Sequence, residues 1–400
     1  MMFLQFFIWG SWYATGGNYM HAHGMASVIY LAFMASSIGS IVSPFFIGKV
    51  ADQLFPLQKV MGVMHLLSGA FVFCAPFFAE GPLTSVPLFL GLLLLHMLCY
   101  MPTVNLASAT VFHILPNREK QFPVIRLFGT LGWISAGVLL SRILHADSTA
   151  LPMRVSGIVG MITGLYSFTL PHVPPAESEQ QSGWRGLFKT KVFELFKSSS
   201  FVIFIIGLLL ISLPFAIYFP YTPVFLKKAD VANPAFKLSF GQMSEFFFLL
   251  ALPWFFARFG VKWVLLAGML AWACRYALFA LAAPSSASWM ILIGILLHGC
   301  CYDFVYVASQ IYIDKVASPA IRAQAQGLFV LVSYGVGQGL GTLGAGWIFN
   351  HVVTEEGSMQ QWQIFWFVPL LFASTVAVLF ALGFHEKTGI GSGRLINAGH

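Results

Sequence analysis

Four charged side chains, Arg126, Glu245, Arg275 and Asp303, interrupt runs of residues that are otherwise almost wholly apolar. A charge at the centre of a bilayer-spanning helix costs roughly 2.5–3.5 kcal/mol on insertion scales. A chain that keeps both signs at that depth needs a water-filled or ligand-filled interior to hold them, which points to transport. Gln242 stands three residues before Glu245, and His298 four before Tyr302, spacings that put each pair on one helical face. Asp303 and Tyr306 are three apart, but His298 and Asp303 are five apart, about 140° around a helix, so some of the set must face neighbouring helices. Asp303 is the first candidate. A carboxylate poised between desolvation and a neighbouring arginine can take up and release a proton as its surroundings change, the minimum equipment for coupling to a proton gradient. The alternative is a fixed buried ion pair with Arg126 or Arg275. Glu245, with Gln242 beside it, is a second ligand or proton site. Arg126 lies near the end of its apolar run and either reaches the same interior or snorkels to the interface. Arg275 reads as the structural partner of a carboxylate, and His298 as either a ligand or a hydrogen-bonded core residue.

The elements that position these groups are long apolar segments. The 400 residues are 58% hydrophobic and 9% charged, with a mean hydropathy of +0.81; a soluble domain carries about 25% charged residues, which excludes a water-soluble fold. Runs of about 20 apolar residues predict twelve spans, six near 1–20, 26–48, 59–79, 86–113, 124–144 and 151–171. Six more lie near 201–226, 239–257, 263–283, 288–313, 323–350 and 361–384. The first lacks the basic start and cleavage site of a signal peptide and is expected to be retained. With twelve spans, Lys and Arg divide fourteen to five in favour of the side holding both termini, which the positive-inside rule assigns to the cytoplasm. The net charge of +7 is therefore topological. Its dispersal among loops argues against nucleic acid as a partner. Cys74, Cys99, Cys274, Cys300 and Cys301 all fall within spans without metal-ligand spacing and read as buried small hydrophobes.

The longest polar break, around 172–200, separates six spans from six, giving four expected regions. These are an N-terminal bundle (1–171), a cytoplasmic linker (172–200), a C-terminal bundle (201–384) and a cytoplasmic tail (385–400). Within the linker, Trp184 to Lys197 mixes basic and apolar residues and forms either an amphipathic surface helix or a flexible connection. The halves echo one another. Leu95-His96-Met97-Leu98-Cys99-Tyr100 parallels Leu297-His298-Gly299-Cys300-Cys301-Tyr302, and Val124-Ile125-Arg126 parallels Ala320-Ile321-Arg322. Such a six-plus-six chain with parallel repeats is the signature of a secondary transporter whose site lies at the midplane between the halves. The turn Gly48-Lys49-Val50-Ala51-Asp52 resembles the loop after the second span in the major facilitator superfamily, a resemblance that implies a gating loop with Gly48 and Asp52 as its marks.

Gln5, Trp9, Trp12 and Gly16 follow helical spacing and either line one cavity face or form a packing stripe. Flat aromatic rings beside amides and carboxylates suit a planar heterocycle or a sugar ring. Gly339-Leu340-Gly341-Thr342-Leu343-Gly344 fits a dinucleotide-binding pattern, but it lies inside a span with no preceding strand, so it reads as a close-packing stripe. No nucleophile elbow, zinc-protease or Walker A pattern is present. The chain is expected to be no enzyme and to need neither cofactor nor metal.

Several stretches resemble the bacterial nucleoside:proton symporters, the group of nucleoside and xanthosine permeases. They are Phe3-Leu4-Gln5-Phe6-Phe7-Ile8-Trp9-Gly10-Ser11-Trp12, Tyr100-Met101-Pro102-Thr103, Phe122-Pro123-Val124-Ile125-Arg126-Leu127-Phe128-Gly129-Thr130-Leu131-Gly132-Trp133, Gly241-Gln242-Met243-Ser244-Glu245, the neighbourhood of Asp303, and Ser318 to Gly327. Residues Gly241 to Tyr312 are most similar to a less-characterised nucleoside-transporter branch of that group. The resemblance implies an all-α membrane protein, a major-facilitator-type bundle of about twelve helices in the bacterial inner membrane; the chain is expected to function as a monomer. It implies import of a nucleoside-like small molecule with protons, and substrate contact by Arg126, Trp133, Gln242, Glu245 and Asp303. His298 and Tyr302 join that set as substrate-binding candidates, and Asp303 and Glu245 are the expected proton-coupling pair. There are departures: the nucleoside permease has Gln and Asn on its seventh span, where Leu213 to Tyr221 offers only tyrosine hydroxyls. His298 and Tyr302 stand where that permease has tyrosine and phenylalanine. The carboxylates survive while the substrate-reading groups have changed, so a sugar or free nucleobase is a competing substrate. An exporter and a non-transporting membrane sensor are the other readings.

Overall fold

The computed structural model describes residues 1–46, 55–115, 118–173, 191–318, 321–354 and 358–385. Among these the secondary structure is helical, and nine stretches are long and apolar enough to cross a membrane. The first span is Met2–Tyr13 continued by Gly16–Ala22; the second is Ile29–Phe46, the third Leu57–Cys74, the fourth Val86–Ile114, the fifth Arg118–Gly137 extended by Val138–Ile143, and the sixth Leu151–Ser167. The seventh is Ser199–Lys228. Pro234–Ala282 holds the eighth and ninth, divided at Gly260, whose φ of 74° is readily reached only without a Cβ. The tenth runs from Ser288 to Val316, the eleventh from Arg322 to Val352, and the twelfth is Met359–Gly383. The expected all-helical bundle of about twelve spans is therefore present among the described residues.

Local chemistry explains several starts and breaks. Pro stands in the first turn of the fourth, sixth and eighth spans, where its missing N–H would have no helical partner anyway. Ser358 and Gln361 form a reciprocal capping box at the start of the twelfth. Among the described residues three spans contain π-helical segments: Val138–Ile143, Asp303–Val307 and Leu331–Gly337. The tenth span is thus not the regular helix its sequence suggests; it is interrupted at Leu297 and widened at Asp303, which shifts the register of everything beyond.

In the first half the first span packs on the fifth and sixth, the third on the fourth and sixth, and the second on the fourth. In the second half the seventh packs on the eleventh and twelfth, while the eighth–ninth helix packs on the tenth and twelfth. The halves meet where the second span touches the eleventh, the fifth touches the eighth, and Gly16–Ala22 touches the seventh. Polar contacts tie them at the end remote from both termini. His145 Nδ1 lies 3.0 Å from Asn233 Oδ1, Lys227 Nζ donates to Ser148 Oγ (2.7 Å), and the Ala235 N–H donates to Asp147 Oδ1 (3.0 Å). At the same end Asn350 donates to the Ser27 carbonyl (2.9 Å). Asp147 also accepts from Ser141 (2.7 Å). Burial outweighs these donors and the Lys227 and His145 charges and pushes its carboxyl above the usual range.

Some expectations fall differently. Cys74 and Cys274 are exposed, Cys99 and Cys300 are half-buried and Cys301 is buried, so the reading of all five as buried small hydrophobes holds fully for Cys301 and fails for Cys74 and Cys274. Within the linker Lys191–Lys197 forms a short 3₁₀ helix, while residues 174–190, the gating-loop positions Gly48 and Asp52, and residues 386–400 lie outside the described residues.

Candidate functional site

An open cavity of about 640 Å³, counted with the solvent space at its mouth, lies between the two halves. Each contributing helix lends residues at helical spacing. The first span gives Phe6, Trp9 and Tyr13, and the fifth gives Arg126, Thr130 and Trp133. From the other half come Phe215 and Phe219 of the seventh, Gln242 and Glu245 of the eighth, His298 and Tyr302 of the tenth, and Tyr334 and Gln338 of the eleventh. Every pair or triplet follows a step of three or four residues, the geometry by which a helix lines one wall. Six of the seven expected substrate residues, Arg126, Trp133, Gln242, Glu245, His298 and Tyr302, are thereby brought together.

Close helix contact sets their positions. A Cβ on Gly10 would lie 3.0 Å from the Trp133 ring, so glycine there lets the indole lie against the first span. A Cβ on Gly299 would lie 2.5 Å from the Glu245 nitrogen, and the Gly299 N–H donates to Ser244 Oγ (2.9 Å). Glycine thus holds the eighth and tenth spans at backbone distance and fixes Glu245 beside Tyr302.

The walls are aromatic with few polar groups. Trp9 meets Trp133 edge-on (5.7 Å between centroids), and Phe219 reaches across to Trp133 (5.4 Å) and Tyr13 (5.5 Å). His298 stacks on Tyr218 (5.2 Å) and Tyr302 (6.0 Å). The Arg126 guanidinium lies over the Phe6 ring at 4.3 Å, a placement that keeps its charge at the cavity, opposite the half that carries Glu245, rather than at the interface. The Tyr302 and Tyr334 hydroxyls are 2.7 Å apart.

Asp303 does not border the cavity. It follows Tyr302 at the start of the π segment, is fully buried, and neither carboxylate oxygen has a hydrogen-bond partner among the described residues. Glu245 is near enough for the two charges to interact. Among the described residues the expected pairing of Arg275 with a carboxylate is not found. Arg275 is sandwiched by Tyr218 (4.2 Å) and Trp272 (4.6 Å) and donates Nε–H to the Gly294 carbonyl (3.0 Å). Aromatic faces hold this cation where a salt bridge was expected.

Of the first-span stripe only Trp9 reaches the cavity. Gln5 bonds Thr103 and His65 (both 2.8 Å), and Trp12 donates to His96 (3.0 Å), which also contacts Ser68 (2.8 Å). Tyr100 donates to the Gln5 carbonyl and packs against Trp9 (5.9 Å). The repeat partners His96 and His298 have thus parted roles: one locks the core of its half, the other faces the cavity. The sequence reading missed Thr130, Tyr334 and Gln338. Thr130 stands one turn after Arg126, and Tyr334 and Gln338 one turn apart, a spacing that marks them once the cavity-facing side of each helix is known.

A model of the family described as "Nucleoside H+ symporter" matches residues 1–389. The chain is similar to "Putative nucleoside transporter YegT" of Escherichia coli, 33% identical over 97% of this chain and 93% of that protein. "Xanthosine permease" of the same organism is 29% identical, over 96% of this chain and 94% of the other. The crystal structure of the nucleoside transporter NupG superposes with a TM-score of 0.85 at 27% identity, covering 96% of this chain and 98% of that one.

Proposed function

We propose that this chain, which belongs to the nucleoside H+ symporter family, imports nucleosides together with protons across a bacterial inner membrane, with both termini in the cytoplasm. The observation that carries the reading is the cavity itself, an aromatic chamber between two helical halves holding Arg126 on one side and Glu245 on the other. The halves, residues 1–171 and 201–384, rock about it as a monomer, and the loop bearing Gly48 and Asp52 gates one end. The bonds around Asp147, Lys227 and Asn233 make the present conformation one closed at the end remote from the termini.

Substrate recognition follows from the chemistry of the walls. Trp133 and its aromatic neighbours offer flat faces to a base, while the Gln242 amide donates and accepts hydrogen bonds, the Glu245 carboxylate accepts them from hydroxyls, and Arg126, His298 and Tyr302 supply further polar contacts. Asp303 couples. Asp303 is fully buried with no hydrogen-bond partner among the described residues, and a carboxylate left so is costly by several kcal/mol when charged, which makes it the group whose proton the cycle exchanges. Opening to water on the other side of the cycle releases the proton, and Glu245, within charge range, transmits the state of Asp303 to the substrate chamber. The test is uptake by proteoliposomes under an imposed inward proton gradient: labelled nucleoside accumulates inside. Expulsion of preloaded substrate would instead establish an exporter, and binding without flux a sensor.

A second reading, import of a sugar or free nucleobase, is favoured by one observation. Among the described residues the seventh span lends the cavity Phe215 and Phe219 and no polar side chain. Competition of labelled uridine uptake by nucleosides, bases and sugars separates the two.

A further inference from the structure

If the seventh span contributes no polar group to the cavity, some other element must read the substrate's polar edge, and the eleventh is placed to do it. Tyr334 and Gln338 both border the cavity, one turn apart, at the junction where the π segment Leu331–Gly337 returns to the α-helix Gln338–Val352. Such widened turns re-aim side chains and concentrate at functional sites. Gln338 is 9% exposed, and its carboxamide nitrogen has no hydrogen-bond partner among the described residues. A buried donor left unpaired is unfavourable, and here the open space beside it is the cavity. The two hydroxyls of Tyr302 and Tyr334 hold two protons, of which the bond between them uses one. The pair therefore has a second O–H to give.

The helix carrying these donors is held firmly. A Cβ on Gly341 would run into the Leu213 carbonyl, one on Gly337 would lie 2.6 Å from Ser212 Cβ, and one on Gly335 2.7 Å from Ile41. The eleventh span is thus wedged between the seventh and, in the opposite half, the second. Donors on it have little freedom to follow a badly matched ligand, which is what selectivity requires.

We propose that Gln338, flanked by Tyr334, reads the carbonyl edge of a nucleobase. The inference rests on the nucleoside reading of the cavity, and the division of labour follows from donor and acceptor matching. The Glu245 carboxylate accepts, so it suits the sugar hydroxyls, which donate. The Gln338 amide nitrogen and the tyrosine pair donate, so they suit a ring carbonyl, which only accepts. Nucleosides with a ring carbonyl, such as uridine and inosine, use this contact; adenosine, which has none, does not.

The test is equilibrium binding to the purified full-length protein, with labelled uridine displaced by uridine, inosine or adenosine. Gln338→Met keeps length and removes hydrogen bonding. It should weaken uridine and inosine about tenfold, ~1.4 kcal/mol, and change adenosine by less than about threefold; Tyr334→Phe should act in the same direction. Retained adenosine affinity reports that the variant site is folded. An equal loss for all three nucleosides, or none for any, overturns the assignment while leaving nucleoside binding intact. A wild-type protein that binds none of the three overturns the nucleoside reading and this inference with it.

Discussion

Gly299→Ala tests whether the cavity is held together as described. The added methyl would sit 2.5 Å from the Glu245 nitrogen and from the Ser244 carbonyl group, where ordinary contact begins at 3.4 Å. The atoms in the way are backbone, so no side chain can swing aside, and the eighth and tenth spans must part by about 0.9 Å. Overpacking of this kind costs about 1–3 kcal/mol. Stretching the bond from the Gly299 N–H to Ser244 forfeits a further ~0.5–1.5 kcal/mol, for a total of about 1.5–4.5 kcal/mol. The same change at Gly344 is the control, because a Cβ there meets nothing within 4 Å. Alanine for glycine inside a helix gains roughly 0.5–1 kcal/mol. Thermal denaturation in detergent should therefore rank Gly344→Ala at or above the parent and Gly299→Ala well below it. Proton-driven uridine uptake in proteoliposomes should fall at least about tenfold for Gly299→Ala alone, since Glu245 and Tyr302 flank the forced gap. If both variants melt and transport alike, glycine at 299 does not set the chamber and the positional argument is wrong.

Asp303→Asn should fold, since a neutral isostere suits a site with no partner for a charge, and should lose gradient-driven accumulation while keeping nucleoside exchange; undiminished accumulation would remove Asp303 from the coupling step. Burial holds the Asp147 carboxyl above the usual carboxylate range, so its contribution to stability is full below the ordinary carboxylate pKa and is lost as pH rises through the raised one. Melting temperature should accordingly decline as pH is raised from about 4 toward neutrality, and Asp147→Asn should flatten that slope; an unchanged slope would acquit the residue. Arg126→Lys keeps the charge but loses the planar face over Phe6, so substrate affinity should fall about tenfold with stability nearly unchanged, as read by uridine binding and thermal melting.

The sequence by itself determined the membrane class, the twelve spans and the residues worth suspecting, because each rests on local signals. An apolar run of about 20 residues reports a span whatever its neighbours do, and a lone Arg126 or Glu245 in such a run is costly enough to be conspicuous. Helical spacing also paired Gln242 with Glu245 and His298 with Tyr302 correctly, since both pairs lie within single regular turns. Tertiary structure alone decided which face of each helix meets the cavity. That choice depends on contacts such as Gly299 against Ser244, between residues far apart in the chain. It sent His96 into a bond with Trp12 while its repeat partner His298 turned to the chamber, and it enclosed Arg275 between aromatic rings instead of beside a carboxylate. Regular spacing already turns Asp303 about 140° from His298, away from the chamber. Inserting an extra residue into a helix rotates everything that follows by about 100°, so the arrival of Tyr334 and Gln338 at the chamber, across the widened turn that begins at Leu331, could not be counted off from an ideal helix.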